Sequence, residues 1–275
     1  MQKNTLKEML KAGKCVYGTS LEDCLGSEMP VILAKAGLDF FFVDTEHSPA
    51  GYAESQALCR TAHYAGIVPL LRVTQNRPEL ISRALDNGAM GIIVPRVKSL
   101  EDAREALDIM KFPPEGHRGF GLRTIVTDVM QGPAAEEIAS CNRETLAVLM
   151  VETTTALDQV EEIARLPGLD VLFIGPYDLT LALGIIEQFD SPIFWNAVDR
   201  VVAACRTAGI AAGLQTGRMP LMLEARRRGV RFLMYSSDVG ILLSGYQQAM
   251  DEMKGSEGVN LGSTAHSQPR SGGGV

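Results

Sequence analysis

Apolar runs alternate with helix-like segments along almost the whole sequence, and this repetition is its most restrictive feature. The runs are rich in Val, Ile, Leu and Phe, as expected of parallel strands that are buried on both faces. Eight strands, each followed by a helix, over roughly 250 residues are the pattern of a (β/α)₈ barrel. A doubly wound sheet is the alternative, but it usually has fewer strands at this length, and no Gly-x-Gly-x-x-Gly follows the first predicted strand. We therefore predict an α/β protein with a single (β/α)₈ TIM barrel.

The bounds of the elements follow from where each periodic pattern starts and stops. The predicted strands are 15–20, Phe40–Asp44, Val68–Val73, a run from Gly91, Leu146–Glu152, Val171–Asp178, 210–215 and a run from Phe232. The predicted helices are Lys3–Ala12, Glu28–Ala36, Tyr52–Ala65, Pro78–Asn87, Leu100–Met110, 154–170, Phe194–Ala208, Leu221–Arg228 and Val239–Lys254.

Three segments fall outside this alternation. The connection 115–137 is long enough to predict a lid, an interface arm or a helical insertion, and a second long loop contains Gly184 and Asp190. Residues 256–275 are polar and rich in Gly and Ser, which is typical of disorder. The predicted organisation is therefore a barrel domain over 1–255 and a disordered tail over 256–275.

Composition excludes several classes of protein. The net charge is −7 and the pI is about 5.2, whereas a nucleic-acid-binding surface needs a basic excess. The five cysteines are an odd number without the close pairing of a metal site, which indicates reduced thiols. No secretory signal and no apolar run of membrane-spanning length is present, so we expect a cytoplasmic protein without a membrane partner.

Two carboxylates end neighbouring predicted strands in the stretch from Leu146 to Thr180. Glu152 follows LAVLMV, and Asp178 ends VLFIGPYD. Because the intervening helix makes these strands parallel, both acids should reach the same rim of the barrel, where they would suit a divalent ion such as Mg²⁺ or Mn²⁺. The alternative is that Glu152 caps the helix near Thr154 and that Asp178 caps a turn.

Further polar residues end other predicted strands at this rim. Asp44 and His47 follow the second strand, and an imidazole near a carboxylate suits a general base. Arg72 ends an otherwise apolar strand, so it should face either a structural carboxylate or an anionic substrate. Asp86 precedes the fourth strand.

Two other chemistries fit less well. Lys98 is near the rim and could form a Schiff base, but its neighbours are those of a solvated helix start. The Gly-rich GHRGFG segment follows no strand and lacks a Walker lysine, so we interpret it as a loop that positions Arg118.

Seven ordered motifs resemble one known family: FFFVDTEHSP, VPLLRV, LDNGAMGIIVPRV, PPEGHRGFG, VLMVET, LFIGPYDLT and MYSSDVGILL. They are similar to the HpcH/HpaI aldolases, the metal-dependent class II pyruvate aldolases, over about Leu6 to Lys254. The resemblance implies reversible cleavage of a 4-hydroxy-2-oxo acid to pyruvate and an aldehyde through a metal-stabilised enolate. It also implies a homo-oligomer, commonly a hexamer.

The resemblance assigns roles to individual residues. Glu152 and Asp178 match the ligands of a divalent ion (Mg²⁺, Mn²⁺ or Co²⁺), Arg72 matches the residue that stabilises the developing oxyanion, and His47 matches the general base. Asp44 and Asp86 are the acids expected to raise the basicity of His47. Backbone groups of Tyr177 and Asp178 would hold the carboxylate of pyruvate.

Two positions depart from the family pattern, and other activities remain open. Met150 stands where well-known members have glutamine, and Tyr177 stands where many have Ala or Ser, so we expect the substrate preference to differ from theirs. An oxaloacetate decarboxylase or a citramalyl-type lyase would use the same enolate. A barrel that serves only as a scaffold predicts loss of the acid pair or of His47, and all three residues are present.

Overall fold

The computed structural model describes residues 2–121 and 132–257. Eight parallel strands pair in sequence order, and the last pairs with the first to close a barrel. The strands are β1 (Val16–Leu21), β2 (Phe40–Asp44), β3 (Val68–Arg72), β4 (Gly91–Val94), β5 (Leu146–Val151), β6 (Val171–Ile174), β7 (Ala211–Thr216) and β8 (Phe232–Ser237). The predicted fold class is therefore confirmed.

Helices follow the strands as the barrel pattern requires. In the described residues they are α1 (Thr5–Lys11), α2 (Met29–Lys35), α3 (Tyr52–Ala65), α4 (Pro78–Asp86), α5 (Leu100–Met110), α6 (Ala134–Glu144), α7 (Thr154–Asp158), α8 (Val160–Ala164), α9 (Pro176–Ala182), α10 (Pro192–Ala208), α11 (Met219–Arg228) and α12 (Asp238–Glu257). The predicted bounds of α3, α5 and β2 agree with the structure, and most other bounds differ by a few residues.

Three predicted segments differ in kind from the structure. The long connection 115–137 contains the start of α6, although residues 122–131 of it lie outside the described part of the chain. The sequence of α6, AAEEIASCNRE, has one large aliphatic side chain, so the helical periodicity of this segment is weak. The predicted helix 154–170 is two short helices, α7 and α8, and the end of the predicted sixth strand is the start of α9.

The chain divides into two compact units, residues 1–239 and 240–275. The first contains the barrel, and the described part of the second is the remainder of α12. This division differs from the predicted boundary after residue 255, and α12 includes residues 256 and 257. The rest of the predicted tail, 258–275, lies outside the described residues. No helix within the described ranges has the length and apolar character needed to cross a membrane.

Side chains along each strand alternate between the barrel interior and the layer under the helices. Phe40 and Phe42 of β2 belong to the interior cluster, and Phe41 belongs to the outer one. The ring centroids of Phe40 and Phe232 are 4.3 Å apart. A Cβ at Gly18 would lie 2.6 Å from the ring of Phe40, so only glycine at this position leaves space for the ring. The barrel interior is therefore a packed apolar core.

Helix α1 packs against this interior core through Leu6 and Leu10. Asn4 caps α1 by accepting hydrogen bonds from the backbone N–H groups of Leu6 and Lys7, and its amide donates to the carbonyl oxygens of Met90 and Glu144. Met90 directly precedes β4, so these contacts lie at the amino end of the strands. Because α1 covers that end, the carboxyl ends of the strands are the place for a site.

Candidate active site

The inward alternation of the strands continues from the apolar core to charged residues at the rim. Phe40 and Phe42 face the interior on β2, and the next inward position is Asp44. By the same spacing, Arg72 is the next inward position on β3 and Glu152 is the next one after β5. Three strands thus direct a charged side chain to one end of the barrel.

A cavity of about 240 Å³ opens at this end. Arg72, Met150, Tyr177 and Asp178 line it, so the structure brings together four of the predicted site residues. Met150 is buried, whereas Tyr177 is half exposed and packs its ring edge-on against Phe189, with the centroids 5.3 Å apart.

Arg72, which lines this cavity, forms a bidentate ion pair with Asp44. Arg72 Nε donates to Asp44 Oδ1 at 2.9 Å, and Nη2 donates to Oδ2 at 2.5 Å. Burial acts to raise the pKa of Asp44, but the hydrogen bonds and charge of Arg72 lower it below its ordinary value. Of the two partners expected for Arg72, the structure thus shows the structural carboxylate, which holds the guanidinium in a defined orientation.

The carboxylate beside the ring of His47 belongs to Glu46. His47 Nε2 lies 3.7 Å from Glu46 Oε2, and more than half of the His47 side chain is exposed. Asp44 contacts His47 only through the backbone, since its Oδ1 accepts from His47 N at 3.4 Å. Glu46 also lies 3.6 Å from Arg72 Nε and 3.1 Å from Arg96 Nη2. The expectation that Asp44 acts on the imidazole is therefore corrected, because Arg72 occupies its side chain.

Asp86 is separated from His47 within one chain. It is the last residue of α4 and precedes β4, which places it at the amino end of the strands. Its carboxylate accepts from Arg118 Nη2 at 2.5 Å, and the guanidinium of buried Arg118 stacks on Phe112 at 4.5 Å from the ring centroid. Within one chain, Asp86 is thus paired with Arg118 and does not contact His47, and its predicted action on His47 stays a prediction. The GHRGFG loop does position Arg118, but toward Asp86.

Glu152 is a buried acid without an ion-pair partner among the described residues. Its Oε1 accepts from the backbone N of Arg96 at 2.5 Å, and its side chain is almost inaccessible. Arg96 has φ +54°, a conformation that costs a non-glycine residue free energy. Burial, and then the charges of Asp178 and Glu46, raise the pKa of Glu152 to about 7 against the hydrogen bond from Arg96.

Neither acid serves as a helix cap. Thr153 caps α7 by accepting from Ala156 N, so Glu152 is not needed there. Gly175 occupies the N-cap position of α9, and Asp178 lies exposed in the first turn. The alternative of two capping residues is therefore wrong.

The acid pair fits a hard divalent cation. A buried carboxylate with a raised pKa beside a second carboxylate is a local excess of negative charge that a cation would offset. The described residues contain no group of three or more His, Cys, Asp or Glu side chains arranged for a metal. Two carboxylates still suffice for ions such as Mg²⁺, which keep several waters and bind substrate oxygens.

The buried Glu152 should make the stability of metal-free protein fall as pH rises. Between its ordinary pKa near 4.5 and about 7, the folded chain keeps a proton that the unfolded chain has lost. The free energy of unfolding should therefore decrease across this window by about 3 kcal/mol through this group. Urea unfolding of chelator-treated protein at pH 5 and pH 8 measures the change. Glu152→Gln should flatten it, and an equal decrease in that variant would contradict the assignment.

A barrel with charged inward residues at the carboxyl rim is the architecture of a TIM-barrel enzyme. The model of the HpcH/HpaI aldolase/citrate lyase family matches residues 26–243. The chain therefore belongs to this family, and it is an aldolase-type lyase.

Individual relatives are similar over most of the chain. A 2-dehydro-3,6-dideoxy-6-sulfogluconate aldolase from Pseudomonas putida is 32% identical, with 94% of this chain and 100% of the relative covered. A hydroxypyruvate/pyruvate aldolase from Paraburkholderia phytofirmans is 31% identical, with 91% and 98% covered. The crystal structure of an HpcH/HpaI aldolase from Desulfitobacterium hafniense superposes with a TM-score of 0.86 at 34% identity, covering 90% of this chain and 96% of that one.

Sequence reasoning missed three residues that shape the site: Glu46, Arg96 and Gly175. Glu46 lies inside the DTEHSP motif, next to His47, so its charge was a signal that could have been used. Gly175 permits close packing, because a Cβ there would collide with the carboxylate of Glu152. Arg96 acts through its backbone N–H, and no sequence pattern reveals such a contact.

Proposed function

We propose that this enzyme is a class II pyruvate aldolase that depends on a divalent metal and reversibly cleaves a 4-hydroxy-2-oxo acid into pyruvate and an aldehyde. The observation that carries the proposal is the position of buried Glu152 against Gly175, a residue that lines the cavity together with Asp178 and Arg72. The relatives named as aldolases of pyruvate and of a sugar acid support the same chemistry.

Glu152 and Asp178 would hold the ion, which we propose to be Mg²⁺, Mn²⁺ or Co²⁺. A bound divalent ion supplies Lewis acidity that favours the enolate of a 2-oxo acid. The backbone N–H groups of Tyr177 and Asp178 would bind the substrate carboxylate. They precede the first backbone hydrogen bond of α9, from Leu179 N to Gly175 O, and so remain available as donors. Met150 would supply an apolar contact.

Arg72 would stabilise the oxygen on which negative charge develops. Its pairing with Asp44 fixes the guanidinium before substrate binds, and a preorganised charge needs no rearrangement during the reaction. Asp44 would also order the loop that carries His47, since it accepts from the backbone N–H groups of Glu46 and His47.

His47 would act as the general base, with Glu46 as the carboxylate beside its ring. In the cleavage direction the base takes the proton of the C4 hydroxyl, the C3–C4 bond breaks to release the aldehyde, and the electron pair of that bond remains in the enolate, whose C3 then takes a proton to give pyruvate. In the opposite direction the base takes a proton from the methyl group of pyruvate, the enolate carbon adds to the carbonyl carbon of the aldehyde, and the resulting alkoxide takes a proton to give the C4 hydroxyl.

Exchange of the pyruvate methyl protons into heavy water tests this function. Wild-type enzyme with Mg²⁺, Mn²⁺ or Co²⁺ should catalyse the exchange, observed by NMR, and chelator or His47→Ala should stop it. Borohydride should trap no pyruvate adduct on Lys98, which is exposed just before the N-cap of α5. Exchange that persists in strong chelator, or a trapped adduct, would refute the metal mechanism.

Gly175→Ala should impair this enzyme without unfolding it. The added Cβ would collide with the Glu152 carboxylate and would lie 3.1 Å from Met150 Cε, so the buried acid must move. Because the Glu152 carboxylate would be moved from its place beside the cavity, we expect kcat/KM to fall by about 100-fold.

Steady-state kinetics and thermal unfolding check the Gly175 prediction together. Gly119→Ala is the matched control, because its Cβ would meet nothing within 4 Å. A Gly175→Ala enzyme with unchanged kcat/KM would show that the position of Glu152 is not critical.

We also propose that the enzyme is a cytoplasmic homo-oligomer, with a hexamer as the expected size. The helix α12 exposes several large apolar side chains, which an interface with further copies of the chain would cover: Ile241, Leu242, Leu243, Tyr246, Met250 and Met253. All five cysteines are free, which suits a reducing compartment. Light scattering of the full chain and of a chain ending at Val239 tests the assembly, and a full-length monomer would refute it.

A further inference from the structure

The cavity has a second polar wall across the barrel mouth from the acid pair. In the closed strand order β1 lies opposite β5, so the loop after β1 faces the end of β5 that leads to Glu152. Glu22, Gln215, Ser236 and Ser237 line the cavity on the side of β1, β7 and β8, and we call these four residues the far wall. The roles proposed above for the metal, for pyruvate and for the base use none of them.

The amide of Gln215 has a defined orientation. Its Nε2 donates to Ser20 Oγ at 2.9 Å and to the carbonyl oxygen of Ser236 at 3.0 Å. Because a carbonyl oxygen can only accept, the NH₂ group must face Ser236. The Oε1 atom of Gln215 is thus left as an acceptor on a residue that lines the cavity.

Glu22 continues the same chain of hydrogen bonds. Ser20 Oγ accepts from Gln215 and donates its single proton to Glu22 Oε1 at 2.8 Å. Glu22 is half-buried and forms no ion pair with another residue of the described ranges. Because Glu22 lines the cavity, its charge acts on whatever enters there.

The loop that carries Glu22 is held in place by Asp238. The buried carboxylate of Asp238 accepts from the backbone N–H groups of Glu22 and Asp23 at 3.1 Å and of Cys24 at 2.6 Å. These three donors to one carboxylate fix the backbone conformation of the loop from Glu22 to Cys24. The far wall is thus preorganised.

We propose that the far wall selects the aldehyde substrate and that it favours neutral aldehydes with hydroxyl groups over aldehydes that carry a carboxylate, phosphate or sulfonate. This inference rests on the proposed aldolase function. Glu22 and Gln215 offer acceptors, which hydroxyl groups satisfy, and the Glu22 charge repels an anion. Arg72, which is the cavity-lining cation among the described residues, is already paired with Asp44.

A comparison of two aldehyde substrates tests the proposal on the full-length enzyme with Mg²⁺ and pyruvate. Values of kcat/KM are measured for condensation with glyceraldehyde, which is neutral and hydroxylated, and with succinic semialdehyde, which carries a carboxylate. Wild-type enzyme should prefer glyceraldehyde. Glu22→Gln should shift the ratio of the two values toward succinic semialdehyde by roughly tenfold.

Two further variants make the comparison specific. Gln215→Leu removes the acceptor at similar size and should lower kcat/KM for glyceraldehyde by roughly tenfold while changing succinic semialdehyde less. Glu28→Gln removes an equal charge from an exposed position outside the cavity and should leave the ratio unchanged. A wild-type preference for succinic semialdehyde, or a ratio that neither Glu22→Gln nor Gln215→Leu alters, would overturn the proposal.

Proton exchange separates this failure from a failure of the proposed function. If wild-type enzyme exchanges the methyl protons of pyruvate but the aldehyde ratio does not respond to Glu22→Gln, the aldolase function stands and the far-wall inference is wrong. If wild-type enzyme neither exchanges these protons nor condenses any aldehyde, both are wrong.

Discussion

Replacing Glu152 by glutamine is expected to lower kcat by roughly a thousandfold while the barrel remains folded. The substitution keeps the shape of the side chain and an oxygen that can accept from Arg96 N, but it removes the charge that would hold a divalent ion. Because the Glu152 carboxyl group is buried and its pKa is raised, removing its charge should not destabilise the metal-free protein.

Three measurements check the Glu152→Gln prediction: turnover, calorimetric titration with Mn²⁺, and thermal unfolding. Glu105→Gln, at an exposed position of α5, is the matched control and should leave all three unchanged. Wild-type affinity for Mn²⁺ in Glu152→Gln, or undiminished turnover, would remove Glu152 from the metal site.

Arg72→Lys is expected to lower kcat/KM by roughly 100-fold and to reduce the free energy of unfolding by about 2 kcal/mol. Lysine keeps the positive charge but cannot donate to both oxygens of Asp44 at once, as Nε and Nη2 of Arg72 do. The buried Asp44 would then lack one of its charged hydrogen bonds, and the cation would no longer be held in one orientation.

A double-mutant cycle with Asp44→Asn tests the structural cause of this effect. The two side chains contact each other, so their effects on unfolding by urea should not be additive. Arg104→Lys, at an exposed i,i+3 pair on α5, is the control and should change stability by less than about 0.5 kcal/mol. Strict additivity of Arg72→Lys and Asp44→Asn would contradict the proposed role of the pair.

The strands were predictable because local chemistry defines them. Runs such as FFFVD and VPLLR are too apolar to be exposed, and the alternation along them determines which residues share a face. That spacing is sufficient to place Asp44 and Arg72 on the same inward side at one end. The helix α6 was not recognised as a separate element, because its sequence has few large apolar residues and its buried positions include Asn142 and Glu144.

The sequence predicted which residues belong to the site better than it predicted which of them contact each other. Sequence proximity suggested that Asp44 acts on His47, whereas parallel pairing of β2 with β3 sets Asp44 beside Arg72. Asp86 is close in sequence to a rim strand, yet the helix-to-strand direction carries it to the opposite end of the barrel, where it binds Arg118. The neighbour of His47 is Glu46, an adjacent residue whose importance depends on two arginines from other strand ends.

The sequence alone determined the barrel, the end of the barrel at which the polar residues gather, and the types of side chain available there, because hydrophobic periodicity and strand direction are local properties. The tertiary structure decided which charges neutralise each other and which remain without an ion-pair partner among the described residues. Pairing depends on distances of a few ångströms between strands that are far apart in the chain. Burial and the nearby charge of Asp178 therefore raise the pKa of Glu152. Burial also acts to raise the pKa of Asp44, but the hydrogen bonds and charge of Arg72 keep it below its ordinary value.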